Sequence, residues 1–422
     1  KFNDFTPGLY KTTDYGKTWV NISKGIPQGA YTRVVREDDV RKNLLYAGTE
    51  LGMYISWNGG TTWQPFQLNL PITPITDLKI HRGDLIVGTM GRAFWILDDL
   101  GLIRQHNGSV DESFKIYKPE DAMIGNWGSG MNQTSATNKG TDEFMGVNPA
   151  NGVVIYYQLP TLPDTVHVTL EIKDEAGKLV RKLSSKPDSR FHSYPGGPSA
   201  EPKLPKEKGV NRFVWDMRHT TMTGVPEVYI ESSFRGHKTV PGNYTITFSD
   251  GKNSTKTDFK ILPNPHYNVT AQEYAEYNAF MSNMEEKLND MHKKVNDILK
   301  MRNQVDEIVG ALEGDKYKAL KKTGNELSEK MKAWDDEMVQ RKAKAYDDVD
   351  NFENKFTANF MFLINHSESD IPRVTKPNKD RYDELMKQWS SLNARAMEII
   401  EKDVPTYSKQ LWDAGIGAVR VP

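Results

Sequence analysis

Between about residues 5 and 105 the apolar positions fall into short runs. TRVVRE, LLYAGT, GMYISW, TWQPFQ, ITDLKIH, DLIVGTM and RAFWILD are rich in aromatic and β-branched residues and are separated by Gly, Asp or Asn. That is the pattern of short strands joined by tight turns. From about 115 to 263 the runs IYKPEDA, GVVIYYQL, TVHVTLEIKD, KLVRKLS, GVNRFVWDMRH, GNYTITFSD and TKTDFKIL predict roughly seven strands. Hairpins are expected across Asp174 to Gly177 and across Asp250-Gly251, and Phe213, Trp215 and Met217 alternate onto one buried face. Lys186 to Gly209, with five prolines, is expected to be a long exposed loop.

After Pro263 and Pro265 the period changes to three-and-four. Phe280, Met284, Leu288, Met291, Val295, Ile298, Val305 and Leu312 mark a first helix, with Arg302 as a break in the stripe. Leu320, Leu327, Met331, Trp334 and Met338 mark a second, and Tyr382, Leu385, Trp389, Leu392, Ala396 and Ile399 a third. NFENKFTANFMFLINHS predicts a shorter helix, and VPTYSKQLWDAG one with a proline-led start. The expected ending is an antiparallel bundle of three or four helices. The fold class is multidomain, mainly β and then α.

Two stretches of the strand region repeat. KTTDYGKTWV begins at Lys11 and ISWNGGTTWQ at Ile55. Thr12 or Ser56 and Asp14 or Asn58 can hydrogen-bond the turn's own backbone, and Gly16 and Gly60 supply positive φ. Thr18 and Thr62 precede Trp19 and Trp63, both expected to drop into the layer below. Read physically, each copy is a hairpin clamp, and its work is folding.

The pattern S/T-x-D-x-G-x-T-W resembles the Asp-box of bacterial-neuraminidase (BNR) repeats, found in sialidases, xyloglucanase-like glycosidases and sortilin-type propellers. The stretch from LYAGTELGMYISWNGGTTW to GRAFWILDD is similar to the last blades of secreted bacterial proteins often labelled glycosyl hydrolase, BNR repeat. The resemblance implies the C-terminal blades of an Asp-box β-propeller over 1–105, a linker and first strand over 106–150, an immunoglobulin- or fibronectin-like sandwich over 151–265 and the bundle over 266–422. GLYKTTDYGKTWVNI would end one blade, 31–67 make a second and 75–98 most of a third. Two and a half blades do not close, so the missing blades are expected N-terminally or in a companion chain. The first residue, Lys1, fits a fragment or a processed product. The resemblance also implies an exported protein of the cell envelope, and D-T-V at Asp164 to Val166 matches a short glycosylation pattern of Bacteroidota envelope proteins.

Composition removes whole classes. With no cysteine, thiolate nucleophiles, iron–sulfur clusters and disulfides are excluded. Lys and Arg total 55 against 56 Asp and Glu, so no field is available for a nucleic acid. No apolar run reaches the length of a spanning helix. The nine histidines are scattered singly, each expected in a surface or loop setting, and YDDVDNFE lacks the glycine and spacing of a calcium loop. No metal and no cofactor is expected.

For catalysis the strand region offers Glu50, Asp98, Asp99, Arg33 and Arg92. Arg92 and Asp98 are the candidate ligand-binding pair, on the expectation that they line a central cleft. The opposing reading makes Asp98-Asp99 a turn former in place of a third Asp-box. NWGSGM around Ser129 is not a nucleophile elbow. Trp127 and Tyr194 are the candidate exposed aromatics. The methionine stripe (Met281, Met284, Met291, Met301, Met331, Met338) reads either as a partner face or as bundle core. Together these features predict a non-catalytic binding or scaffold protein that recognises peptide, protein or glycan, with a place in an outer-membrane assembly as a variant. The alternative is an exo-acting glycoside hydrolase whose carboxylates sit mainly in the missing blades.

Overall fold

The computed structural model describes residues 3–108, 113–125, 150–188, 191–368 and 371–422. Trp127, Ser129 and the polar run after Met131 lie outside them. In the first region, β1 (Tyr10–Lys11) and β2 (Val20–Asn21) form a hairpin. β3 (Thr32–Glu37), β4 (Leu45–Thr49), β5 (Gly52–Ser56) and β6 (Gln64–Pro65) form a four-stranded antiparallel sheet in chain order. β7 (Ile75–His81), β8 (Asp84–Thr89) and β9 (Phe94–Leu97) form a three-stranded one. The middle sheet is covered on both faces, which is why all five residues of β5 are buried. Tyr54 points to the hairpin with Trp63, Leu9 and Ile26; Met53 and Ile55 point to Leu78, Leu85 and Val87 of the third sheet. Gly48 permits that approach, since a Cβ there would lie 2.6 Å from Ile75.

A short helix, α1 (Gly101–Gln105), follows β9. It is tied to the middle sheet. Arg104 Nε meets Asp38 Oδ1 at 3.0 Å, and Arg41 Nη1 donates to the Arg104 carbonyl at 2.9 Å.

Eight strands follow: β10 (Lys115–Ile116), β11 (Ala122–Met123), β12 (Val153–Leu159), β13 (Thr169–Asp174), β14 (Leu179–Ser184), β15 (Gly209–Trp215), β16 (Gly242–Ser249) and β17 (Ser254–Leu262). They make a three-stranded sheet, β10-β12-β15, and a five-stranded sheet, β11-β17-β16-β13-β14. The two share one core, in which Ile155, Tyr157 and Trp215 from the first meet Leu170, Ile246, Phe248 and Phe259 from the second. Phe213 and Met217 are buried with Trp215, as the alternation predicts. The proline-rich loop is not free of this body. Lys203 bridges Ser184, Leu204 is buried, and Tyr194 is half-buried against Gly197 and Gly224 with its hydroxyl enclosed. Tyr194 is therefore not the exposed aromatic expected; the prolines stiffen a packed segment.

The helical region comprises α2 (Ala271–Ala311), α3 (Lys318–Met338), α4 (Phe356–Ser367), α5 (Lys376–Glu398) and α6 (Val404–Asp413). α2 opens on a capping box in which Thr270 and Glu273 satisfy each other's backbone N–H. It then runs unbroken for 41 residues, about 60 Å at 1.5 Å per residue. Arg302 does not interrupt it, because Met301 takes the core position beside it. Side-chain pairs give the directions. Asp306 meets Ser328 and Val309 lies against Gly324, so α3 runs against α2; Phe356 stacks on Trp389 and Phe360 meets Tyr382, so α4 runs against α5. Asn283 bonds Tyr382 while Lys294 lies over Trp389, so α2 and α5 are parallel. α4 begins where α3 ends, its Thr357 hydroxyl donating to the Met338 carbonyl at 3.0 Å. The bundle is thus two long parallel legs and one broken antiparallel leg.

Pro405 stands in the first turn of α6, as expected, but no capped start precedes it. Residues 399–403 form a π turn that carries α5 into α6 without a stop. The wider turn absorbs Pro405, which has no N–H to donate. All six stripe methionines are fully buried, so they are core.

Candidate binding surface and buried junction

The two repeated turns match hydrogen bond by hydrogen bond. In the first, Gly16 N–H donates to Thr12 Oγ1 at 2.8 Å and Thr18 N–H to Asp14 Oδ1 at 2.9 Å. In the second, Gly60 N–H donates to Ser56 Oγ at 2.9 Å and Thr62 N–H to Asn58 Oδ1 at 3.0 Å. One link reverses. The Thr18 hydroxyl donates to Asp14 Oδ2 at 2.7 Å, whereas Asn58 Nδ2 donates to the Thr62 hydroxyl at 2.9 Å. A hydroxyl can do either, so Asp-to-Asn keeps the ring of bonds intact. Bonds from Thr18 and Thr12 hold the Asp14 carboxyl down at about 2.

The tryptophans differ. Trp63 is 4% exposed: its Nε1–H donates to the Ile22 carbonyl at 2.6 Å and its N–H to the Lys24 carbonyl at 3.0 Å, so it sits on the preceding hairpin. Trp19 is 60% exposed and turns its Nε1–H back to its own Gly16 at 3.2 Å. The expectation that both enter a layer below fails for Trp19, which among the described residues has no preceding hairpin to enter. Beside it Tyr10, Tyr15 and Val20 are also exposed. At the far side of the three sheets, β9 alternates: Trp95 and Leu97 pack inward while Phe94 and Ile96 face out, 81% and 60% exposed.

The other site candidates separate. Arg92 is exposed in the β8–β9 turn, while Asp98 ends β9 beside Asp84. Residues 93–97 lie between them, four of which form the extended strand β9, about 13 Å long, so the two sit at opposite ends of that strand rather than side by side. Arg33 and Glu50 are spent on each other at 2.7 Å. Burial works to raise Glu50, and its bonds to Arg33 and Tyr31 outweigh that and leave it lowered. Asp99 is a turn former, with φ +57 and its Oδ1 accepting from Gly101 N–H at 3.1 Å. Burial raises Asp98, Asp99 and Glu120 above the usual carboxylate range, helped by Asp84 at the first two and by Asp99 at the third. YDDVDNFE contains a 3₁₀ turn in which Asp348 accepts from Lys344 N–H and Ala345 N–H. Among the described residues no group of three or more metal-ligating side chains is gathered, and no helix is long and apolar enough to cross a membrane.

Sequence reasoning missed a polar junction between the β sheets and α2. Between β15 and β16, residues 217–240 contain no helix or strand, yet Met222, Val225, Val228, Ile230 and Phe234 belong to the helical core. His219 and His237 stack there, ring centroids 4.0 Å apart and planes 13° from parallel. His237 is buried with Nδ1 at 3.0 Å from Glu285 Oε1 and Nε2 at 3.0 Å from Asn278 Oδ1, both on α2. Arg181 donates to the His219 carbonyl and pairs with Glu201; Arg218 pairs with Glu368 at 2.8 Å. Burial, then His237, holds His219 down at about 3, and burial holds His292 at about 4 against its bond to the Thr223 carbonyl. His237 and His292 are buried rather than at the surface, while His219 is half-buried in an irregular loop. Their partners are scattered through the sequence, and no motif marks them.

No family model matches the chain, and no curated protein matches it. Among solved structures it is similar to PorZ, an essential bacterial surface component of the type-IX secretion system of Porphyromonas gingivalis, at 14% identity and a TM-score of 0.18 over 60% of this chain. It is also similar to the extracellular domain of BT4673 from B. thetaiotaomicron, at 12% identity and a TM-score of 0.20 over 61% of this chain. The chain spans 25% of the length of the first and 29% of the second. Likeness at that level carries nothing from those proteins to this one. What the molecule itself defines is a multidomain chain, mainly β sheets, ending in a helical region.

Proposed function

We propose that the chain is the C-terminal part of a non-catalytic scaffold or binding protein of the cell envelope or secreted space. The three N-terminal sheets are consecutive blades of an Asp-box propeller, residues 1–105; the remaining blades come from the same polypeptide or a companion chain. Residues 151–265 are an immunoglobulin-like sandwich with its linker and first strand in 106–150, and residues 266–422 are the bundle. The ligand, a peptide, protein or glycan, is held on the central face of the completed propeller.

The observation that carries this reading is the pair of tryptophans. Trp63 shows what the position does when a preceding hairpin is present, and Trp19 presents the same ring uncovered. The opposite end is apolar too, with Phe94 and Ile96 outward. An open array of repeats ends on polar faces, so two apolar ends favour a run that closes through further repeats. The clamps support a structural role for the repeat, since Asp14 and Asn58 are spent on their own turns. The extracytoplasmic setting rests on the resemblance of these turns to exported Asp-box proteins.

The glycoside hydrolase reading has one observation in its favour, the raised carboxyls of Asp98, Asp99 and Glu120. A panel of sialosides, xyloglucan oligosaccharides and aryl glycosides, tested on the polypeptide as its cells make it, decides between them. The scaffold reading expects no turnover. Turnover abolished by Asp99→Asn or Glu120→Gln in a folded protein overturns it.

A further inference from the structure

Residues 217–240 leave the β sheets, cover the face of α2 and return, so their contact with α2 is the main buried link between the two regions. That link carries two histidines whose Nε2 atoms are buried without a hydrogen-bond partner, His219 on the segment and His292 on α2 beneath it. The charged groups around His219 are mostly of one sign. Arg181 and Lys178 face it from the β14 side and His237 stacks on it; Glu201 is engaged by Arg181, and Glu285 by His237. From the other elements, Arg218 is paired with Glu368, and Lys178 reaches Glu286 of α2 at 3.5 Å. His292 faces the Thr223 carbonyl at 2.5 Å and the Phe234 ring, with no carboxylate against it among the described residues.

We propose that segment 217–240 is a pH-operated latch, seated on α2 when both histidines are neutral and released when they take up protons. A proton on His219 places a positive ring 4.0 Å from a second imidazole and beside a guanidinium, and the one side chain that favours it, Asn278, is already engaged by His237. A proton on His292 is enclosed among apolar groups. Once the segment lifts, both rings reach water, and Met222, Val225, Val228, Ile230 and Phe234 are uncovered together with the face of α2.

The sign follows from the depressed values. Both groups fall below their ordinary 6.5 when the latch is shut, so the latch is fully seated above 6.5 and loosens as the pH falls. Each histidine that must charge multiplies the open population about tenfold per pH unit, so two acting together give up to about a hundredfold per unit between 6 and 4.5.

Amide hydrogen exchange of residues 222–234, corrected for the chemical exchange rate and followed from pH 7.5 to 4.5, reads this slope. The expected slope is close to two protons in the native protein and close to one in His219→Gln or His292→Gln. Equal slopes in all three, or protection of the segment lost only together with that of β12 and β16, overturns the latch. Imidazole NMR of the unmodified protein covers the case in which a variant does not fold. A His219 ring that stays neutral to below pH 5 while the segment is closed agrees with the proposal, and a ring that titrates near 6.5 without any change in the segment refutes it.

Discussion

Trp19 and Trp63 occupy the same place in two copies of one turn, 44 residues apart, and one is exposed while the other is buried. Apart from the one reversed hydroxyl link, the interiors of the turns agree: the hydroxyl that caps the glycine, the carboxylate or amide that caps the threonine, and the positive φ at Gly16 and Gly60. The difference lies in the neighbour. A turn of this kind supplies its own backbone partners, but its tryptophan is stable only against a second hairpin, whose Ile22 and Lys24 carbonyls complete it. The clamp is a local property of the sequence; the seat is a property of the stack.

The largest expected effect separates the seats. Trp63→Ala should destabilise the strand region by about 3–5 kcal/mol through loss of a buried aromatic. Trp19→Ala in the same chain should change it by within about 0.5 kcal/mol, since an exposed ring with a self-made hydrogen bond leaves little to lose. Urea unfolding followed by exchange of the β4–β5 amides measures both. Comparable losses would break the comparison.

The glycines give a middle-sized contrast. Both have positive φ, so Ala costs each turn about 1–2 kcal/mol for the left-handed backbone. At Gly60 the added Cβ would also lie 2.5 Å from Ile22 Cδ1, whereas at Gly16 the nearest atom is 3.9 Å away. Gly60→Ala should therefore cost about 1–3 kcal/mol more, the range for overpacking.

The smallest contrast is in pH. Asp14 is held at about 2 against an ordinary 3.8, so its clamp is at full strength above 3.8 and loosens as the pH falls through 3.8 towards 2. Asn58 does not titrate, and its clamp should be unaffected. Amide exchange at Thr18 and Thr62 between pH 5 and 2 reads the two turns side by side. Asp14→Asn should abolish the difference with the first turn intact, because Asn58 already shows the amide performing the same role.

Legibility in the sequence follows the same division between local and distant. The turns were legible because Thr12, Asp14 and Gly16 serve one another within four residues. The methionine stripe was legible in its period, and β5 in its unbroken apolar run. The pairing of Arg92 with Asp98 was not, because adjacency in a hairpin strand says nothing about which end of the hairpin a side chain occupies. The His219, His237 and Glu285 junction was invisible for a related reason. Glu285 lies 48 residues beyond His237, and residues 217–240 carry no helical or strand period to announce that they pack on α2. The π turn at 399–403 escaped because a proline after an apolar stripe ordinarily marks a start, and only the backbone shows the helix passing through it.

Hydroxyl-radical footprinting of the two tryptophans, in the polypeptide as its cells make it and in the chain described above, tests the central claim most directly. If a further hairpin repeat seats on Trp19, its oxidation should slow to the rate of Trp63 in the cellular polypeptide and remain fast in this chain. Trp19 oxidised at the same fast rate in both would contradict the claim.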